Sequence, residues 1–171
     1  MPSNNQSIIY ISINGSKQGQ FKSDDTRAGE GRSTAIAFGG KVTVPIETRG
    51  KSEKGAGTVQ NEPMWIVCEW NAVVAQCLQA AWSNSEPLED VTLDFKRKDS
   101  GGKETSYATM ALKKATVTMV EFGVADTARM LPGDHEYSDL ARISFSYEEV
   151  ELEVKGVEGD TKAAYKRKAD A

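Results

Sequence analysis

A chain of 171 residues has the length of one domain and can bury a core without metal or disulfide staples. With 39% hydrophobic and 27% charged residues, its composition is that of a globular protein, and no run approaches the roughly 20 apolar residues of a membrane helix. The net charge of -4 argues against general nucleic-acid binding, which depends on clustered Lys and Arg neutralising phosphates.

Met1 to Gln6 is polar and lacks the basic and apolar regions of a secretory signal, so synthesis is expected to finish in the cytosol. Ser7 to Ile13 then reads as a strand, with Ile9, Ile11 and Ile13 on one face and Tyr10 and Ser12 on the other. Asn14-Gly15 predicts a tight reversal into a short return strand within Lys17 to Lys22. After the polar stretch Ser23 to Ser33, Ala35 to Ile46 becomes apolar but is interrupted by Gly39-Gly40, which predicts a bent strand or two short ones.

Glu47 to Asn61 holds three glycines, several charges and hardly any large apolar side chain, so it reads as a long projecting loop poor in core. Met64 to Glu69 is a strand candidate, after which the period changes. Trp70, Val73, Val74, Cys77, Leu78, Ala81 and Trp82 recur at spacings of three and four and predict one buried stripe of a helix over about 71–82. Asn71 is its predicted N-cap, and Ser83 to Ser85 followed by Pro87 its stop.

In the second half Val91, Leu93 and Phe95 alternate with polar residues, and the glycine turn Asp99 to Lys103 leads into another alternating run. There Ala108, Met110 and Leu112 keep one phase, whereas Ala115, Val117 and Met119 keep the opposite one, which predicts a bulge near Lys113. A similar slip at Glu148-Glu149 separates Ile143, Phe145 and Tyr147 from Val150, Leu152 and Val154. Long bent antiparallel strands curl a sheet over on itself and hide its edges. The predicted fold is therefore mainly all-β, a curled antiparallel β-barrel or sandwich with one docked helix, spanning residues 1–156. Gly123 to Asp139 reads as a second long excursion. Beyond Gly156 periodicity fades, and 157–171 reads as a polar, basic tail with Lys162 to Lys168 as its dense basic run.

Catalytic patterns are missing from the sequence. No G-x-S-x-G occurs, Gly29-Glu30-Gly31 is followed by a strand-like run instead of a phosphate-binding helix, and Asp24-Asp25 lacks the spaced ligands of a calcium loop. His135 beside Asp134 in a polar loop is too isolated to indicate a base. Glu149, Glu151 and Glu153 alternate as the solvent face of a strand should. Cys68 and Cys77 fit neither a disulfide framework nor a zinc site and read as two buried free thiols.

The order of segments resembles the Hcp (haemolysin-coregulated protein) family. The likeness begins with Ile9-Tyr10-Ile11-Ser12-Ile13-Asn14-Gly15-Ser16-Lys17-Gln18-Gly19-Gln20-Phe21-Lys22 and resumes at Asn61-Glu62-Pro63-Met64-Trp65-Ile66-Val67-Cys68-Glu69-Trp70. It continues through the helix, Pro87 to Phe95, Tyr107 to Val120, and Ala141-Arg142-Ile143-Ser144-Phe145-Ser146-Tyr147-Glu148-Glu149-Val150-Glu151, covering most of residues 7–154. The resemblance implies a non-enzymatic subunit that self-associates into a hexameric ring and a stacked tube of a type VI secretion system. It implies partners in the contractile sheath, the spike proteins and secreted effectors carried in the lumen, without cofactor, nucleic acid or membrane insertion. The protein would start in the bacterial cytoplasm and leave through the system itself. A tail-tube protein of a phage or related injection particle, and an effector-binding chaperone that forms no tube, are the alternatives. The loop from Glu47 to Asn61 corresponds to the family's extended loop, which makes Thr48, Arg49, Lys51, Glu53, Lys54, Thr58 and Gln60 the candidate ring-to-ring contacts.

Overall fold

The computed structural model describes residues 7–23, 32–43, 60–83, 86–123, 139–156 and 158–166. Strand β1 (Ile8–Gly15) buries Ile9, Ile11 and Ile13 and is followed by the short β2 (Gly19–Gln20). The reversal falls two residues later than Asn14-Gly15. Both of those residues stay in the ladder, paired with Gln20 and Gly19, and the positive backbone angle belongs to Gly19 (φ 71°). Space explains the glycine at 15, since a Cβ there would sit 2.8 Å from a carboxylate oxygen of Glu86, and that carboxylate holds the turn at Lys17 and Gln18.

The interrupted apolar run forms β3 (Ser33–Ala35), β4 (Ala37–Gly39) and β5 (Val42–Thr43). Strand β3 pairs with β1, whereas β4 pairs with β7 (Met64–Glu69), with only Ile36 between them. One short stretch thus leaves one sheet and joins the other. Its twin corner lies in the long strands β8 (Leu88–Lys98), β9 (Glu104–Gly123), β10 (Leu140–Ser146) and β11 (Glu149–Gly156). The order β1-β8-β9-β10-β7-β4, with β3 returning to β1, closes an antiparallel barrel. Helix α1 (Ala72–Trp82) docks on it.

The phase slip predicted near Lys113 is present, but no extra residue makes it: β9 keeps one register across it with β8 (Asp90↔Lys113, Leu88↔Ala115) and with β11 and β10 (Glu149↔Lys113, Ser146↔Thr116), so the predicted bulge is a kink instead. Lys113 and Lys114 are both exposed between buried Leu112 and Ala115, and Lys114 adopts φ 50°, the one positive φ of a non-glycine among the described residues. Strand β9 pairs with β11 as far as Lys113 and with β8 as far as Ala115; from Thr116 on it pairs with β10. Strands β10 and β11 break opposite the same point, at Tyr147-Glu148. The Glu148 N–H donates to the Lys113 carbonyl at 3.2 Å, and the Lys114 ammonium lies 3.6 Å from the Glu148 carboxylate. Two strands bend together there.

Met119 does not share the burial of Ala115 and Val117. A register shift between Ser144 and Phe145 skips Thr118, so Met119 is 36% exposed and Val120 packs on the core instead. The core is built from Ile11, Ile13, Phe21, Ile66, Leu93, Leu112, Ile143 and Phe145. A smaller cluster lies on the opposite face of β7 and β10, where Val67 and Leu140 are covered by Ile36, Ala37 and Trp65. The Trp65 ring lies over Gly39, where an added Cβ would collide with it, and the Arg142 guanidinium stands 4.4 Å from that ring.

Beyond Gly156 the chain continues as β12 (Gly159–Lys166), paired with β11 from Gly156↔Gly159 to Glu149↔Lys166. Residues 160–164 are all exposed, so they print no alternation of buried and exposed positions on the sequence. The remaining short strand, β6 (Gln60–Asn61), pairs with β5.

The Lys114 conformation is a left-handed one that costs a non-glycine residue roughly 1–2 kcal/mol. Lys114→Gly is therefore expected to hold or raise stability by about 0.5–1 kcal/mol, and Lys114→Val to lower it by about 1–2 kcal/mol. Urea unfolding midpoints of the two variants against wild type check the order.

Candidate assembly surfaces

Helix α1 begins where predicted. The Asn71 Oδ1 accepts from the N–H groups of Val73 and Val74 at 2.9 and 3.3 Å, and its Nδ2 donates to Ser33 Oγ at 2.9 Å, tying the cap to β3. The buried face, however, is Val73, Cys77 and Ala80, flanked by Val74 and Ala81. Leu78 and Trp82 do not belong to it: they are 39% and 85% exposed, and Trp70, which precedes the helix, is 47% exposed. At about 100° per residue, Leu78 lies about 100° and Trp82 about 140° around the axis from Cys77. The sequence stripe was too wide to be one face. Core packing alone does not account for these two side chains.

The other end of the helix is held by a residue that sequence reading passed over. The Glu86 N–H donates to the Ala80 carbonyl at 2.8 Å, and its buried carboxylate accepts from Lys17 N (2.5 Å), Gln18 N (2.7 Å) and Gln18 Nε2 (2.8 Å). The Gln18 Nε2 also donates to the Gln76 carbonyl at 3.1 Å, and the Gln76 side chain exchanges hydrogen bonds with the Lys22 backbone. The first hairpin and α1 are clasped together. Burial alone would push the Glu86 carboxyl up, but the hydrogen bonds from Gln18 and Lys17, with the Lys17 charge, outweigh it and hold the group below the usual carboxylate value. A glutamate beside a proline has no local signature of this role, because its partners lie 68 and 69 positions away.

The outward face of β1, β8, β9 and β11 is polar. Tyr10 stands on it yet is 6% exposed, because Lys96 and Arg32 lie 5.3 and 5.9 Å from its ring and its hydroxyl donates to Glu104 at 2.8 Å. Asp94 accepts from Ser106 at 2.6 Å and lies 3.8 and 3.9 Å from Lys96 and Arg32. Such half-exposed pairs contribute tenths of a kcal/mol each and mainly keep the face wet. Among the described residues no group of three or more His, Cys, Asp and Glu could hold a metal. His135 and Asp134 lie outside the described residues.

Residues 10–154 match the family described as "Type VI secretion system effector, Hcp". The chain belongs to the Hcp family. Solved structures agree on the fold. An Hcp protein is similar with a TM-score of 0.77 at 22% identity, covering 96% of this chain and 100% of that one. The secreted protein Hcp3 of Pseudomonas aeruginosa gives 0.68 at 18%, covering 96% and 100%, and a double mutant of Hcp1 from the E. coli EAEC 042 pathovar gives 0.69 at 17%, covering 91% and 97%. No curated protein matches. Among the described residues no helix is long and apolar enough to cross a membrane.

Of the seven contact residues that the Hcp resemblance implies, Thr48, Arg49, Lys51, Glu53, Lys54 and Thr58 lie outside the described residues. Gln60 is placed, in β6 opposite Thr43. Next to that pair the Glu62 N–H donates to the Lys41 carbonyl at 3.2 Å, and the Lys41 ammonium lies 3.8 Å from the Glu62 carboxylate. The segment between thus departs from a defined two-stranded base.

Cys68 and Cys77 are free and buried in this Hcp barrel, as the sequence predicts. Burial, with Glu69 adding to it, pushes the Cys68 thiol up to about 12; burial, with Cys68 adding to it, pushes Cys77 up as well. Thiol reagents at neutral pH are expected to leave both unmodified in the native protein and to label both in denaturant. Raised thiol pKa values also mean that their stabilising burial is complete below the ordinary value of 9.0 and declines as pH climbs towards about 12.

For Glu86 the sign is opposite. Its clasp contributes fully above the ordinary carboxylate range and is lost as pH falls through its lowered folded value. Glu86→Gln is expected to cost about 1–3 kcal/mol at neutral pH, with the gap to wild type closing in acid. Urea titrations over a pH series measure both effects.

Proposed function

We propose that this Hcp-family chain is a structural subunit of the inner tube of a type VI secretion system, closing into hexameric rings that stack. The observation that supports it most is the family match across residues 10–154 on a closed barrel. A subunit of this kind works by shape. Heterologous contacts, in which one surface of each copy meets a different surface of the next, close into a ring without any active site. The lumen carries effectors, the outside meets the contractile sheath, and the end meets the spike. The protein begins in the bacterial cytoplasm and is exported through the system, and neither nucleic acid, cofactor nor bilayer takes part. Native mass spectrometry and negative-stain imaging test this: rings at six times the subunit mass are expected, and a chain that stays monomeric at every concentration overturns it.

Within this reading the segment carrying Thr48, Arg49, Lys51, Glu53, Lys54, Thr58 and Gln60 makes the ring-to-ring contact. The β5–β6 base supports a clean test, because deleting Lys51 to Gly57 leaves Val42↔Asn61 and Thr43↔Gln60 in the chain. The deletion is expected to preserve the thermal melt and the rings while reducing tube length in electron micrographs. Tubes of wild-type length would rule the contact out.

A further inference from the structure

Two apolar patches stand on the surface at opposite ends of α1. At its C-terminal end Trp82 is 85% exposed, with Leu78 at 39% one turn back. At the other end Trp70 and Phe122, 47% and 54% exposed, meet edge to face with ring centroids 6.2 Å apart. The second pair is rigidly set, since Trp70 donates from Nε1 to the Leu140 carbonyl at 3.0 Å and from its backbone N–H to the Asp139 carbonyl at 3.1 Å. An eleven-residue helix spans about 16 Å, so the patches do not merge.

The helix between them has no charged side chain at any of its eleven positions. A helix facing only water normally carries charge on its outer side, whereas charge is depleted and Trp enriched at the centre of protein contacts. The two patches also differ in form. Trp82 is a single projecting ring, and Trp70 with Phe122 is a half-covered aromatic floor; a third ring packs favourably on such a pair. Each patch offers roughly 200 Å² of apolar surface, against about 800 Å² per partner in a standard interface. They suit the desolvated centre of a larger contact with a polar rim.

We propose that Trp82 and Leu78 of one copy seat against the Trp70–Phe122 pair of a second copy, and that this is the repeating contact around the ring. The inference rests on the ring reading above and names the residues that would close it. A knob and a floor on one chain are the two unlike surfaces a head-to-tail ring requires.

Mixing experiments on two full-length variants test it. Trp82→Glu removes the knob and Phe122→Glu spoils the floor; each alone is expected to weaken assembly about a hundredfold or more, giving monomers where wild type forms rings. Mixed in equal amounts, they are expected to form heterodimers and nothing larger, because only one intact knob and one intact floor remain to meet. Sedimentation velocity and native mass spectrometry read the species. Thermal melts check the fold, with Trp82→Ser and Phe122→Ser replacing any variant that unfolds. Rings from either variant, self-dimers of F122E, or two monomeric variants that fail to pair overturn the contact. A wild-type protein without rings overturns the ring reading as well, so the two failures are told apart.

Discussion

In β9 the backbone of Lys114 enters the left-handed region, with φ 50°, at the point where the strand's partner changes from β11 to β10. Barrel closure depends on that turn. A straight strand of twenty residues would hold one sheet flat and send either Leu112 or Ala115 into water, since successive side chains alternate faces. The left-handed backbone of Lys114 turns the strand and keeps both inside. Because Tyr147-Glu148 interrupts β10 and β11 at the same level, the neighbouring strand bends without losing its ladder, and Glu148 returns a hydrogen bond to Lys113. At the opposite corner β3 and β4 do the same job with Ile36 as the pivot.

Helix α1 is too short to be stable by itself in water, and it is secured at both ends by side chains from elsewhere in the chain. Asn71 joins its first turn to Ser33, and Glu86, Gln18 and Gln76 join its exit to the first hairpin. With Val73, Cys77 and Ala80 filling the seat beneath it, the orientation about its own axis is fixed. The outward position of Trp82 follows from that seating and not from a loosely held end.

Much of this was legible in the sequence wherever a side chain alternates between core and solvent. Strand β7 and the Asn71 cap fall where periodicity and capping chemistry put them, and the phase slip at Lys113 marks the kink at Lys114, although not by the extra residue expected. Reading failed where the deciding partner is distant in sequence. The turn after β1 moved because Glu86 captures its amides; Met119 turned outward because β10 skips Thr118; Leu78 and Trp82 were assigned to a stripe that Cys77 alone could not orient. Strand β12 gave no signal because its residues 160–164 are exposed on both faces. The exposed faces of Leu78 and Trp82 were harder still, since an apolar residue at helical spacing looks like core in sequence whichever way it points.

Strand β12 differs from its neighbours in how it would bear load. Among the described residues it pairs with β11 alone, its residues 160–164 are all exposed, and it joins β11 through a turn ending at Gly159, with φ 136°. Tension on the C-terminal end therefore meets an antiparallel hairpin from its open side, where the pairs separate in succession from Glu149↔Lys166 inward. The β8–β9 ladder, anchored by Leu93 and Leu112 in the core, would have to shear as a block. Mechanically the molecule is a barrel with a tear strip at one end.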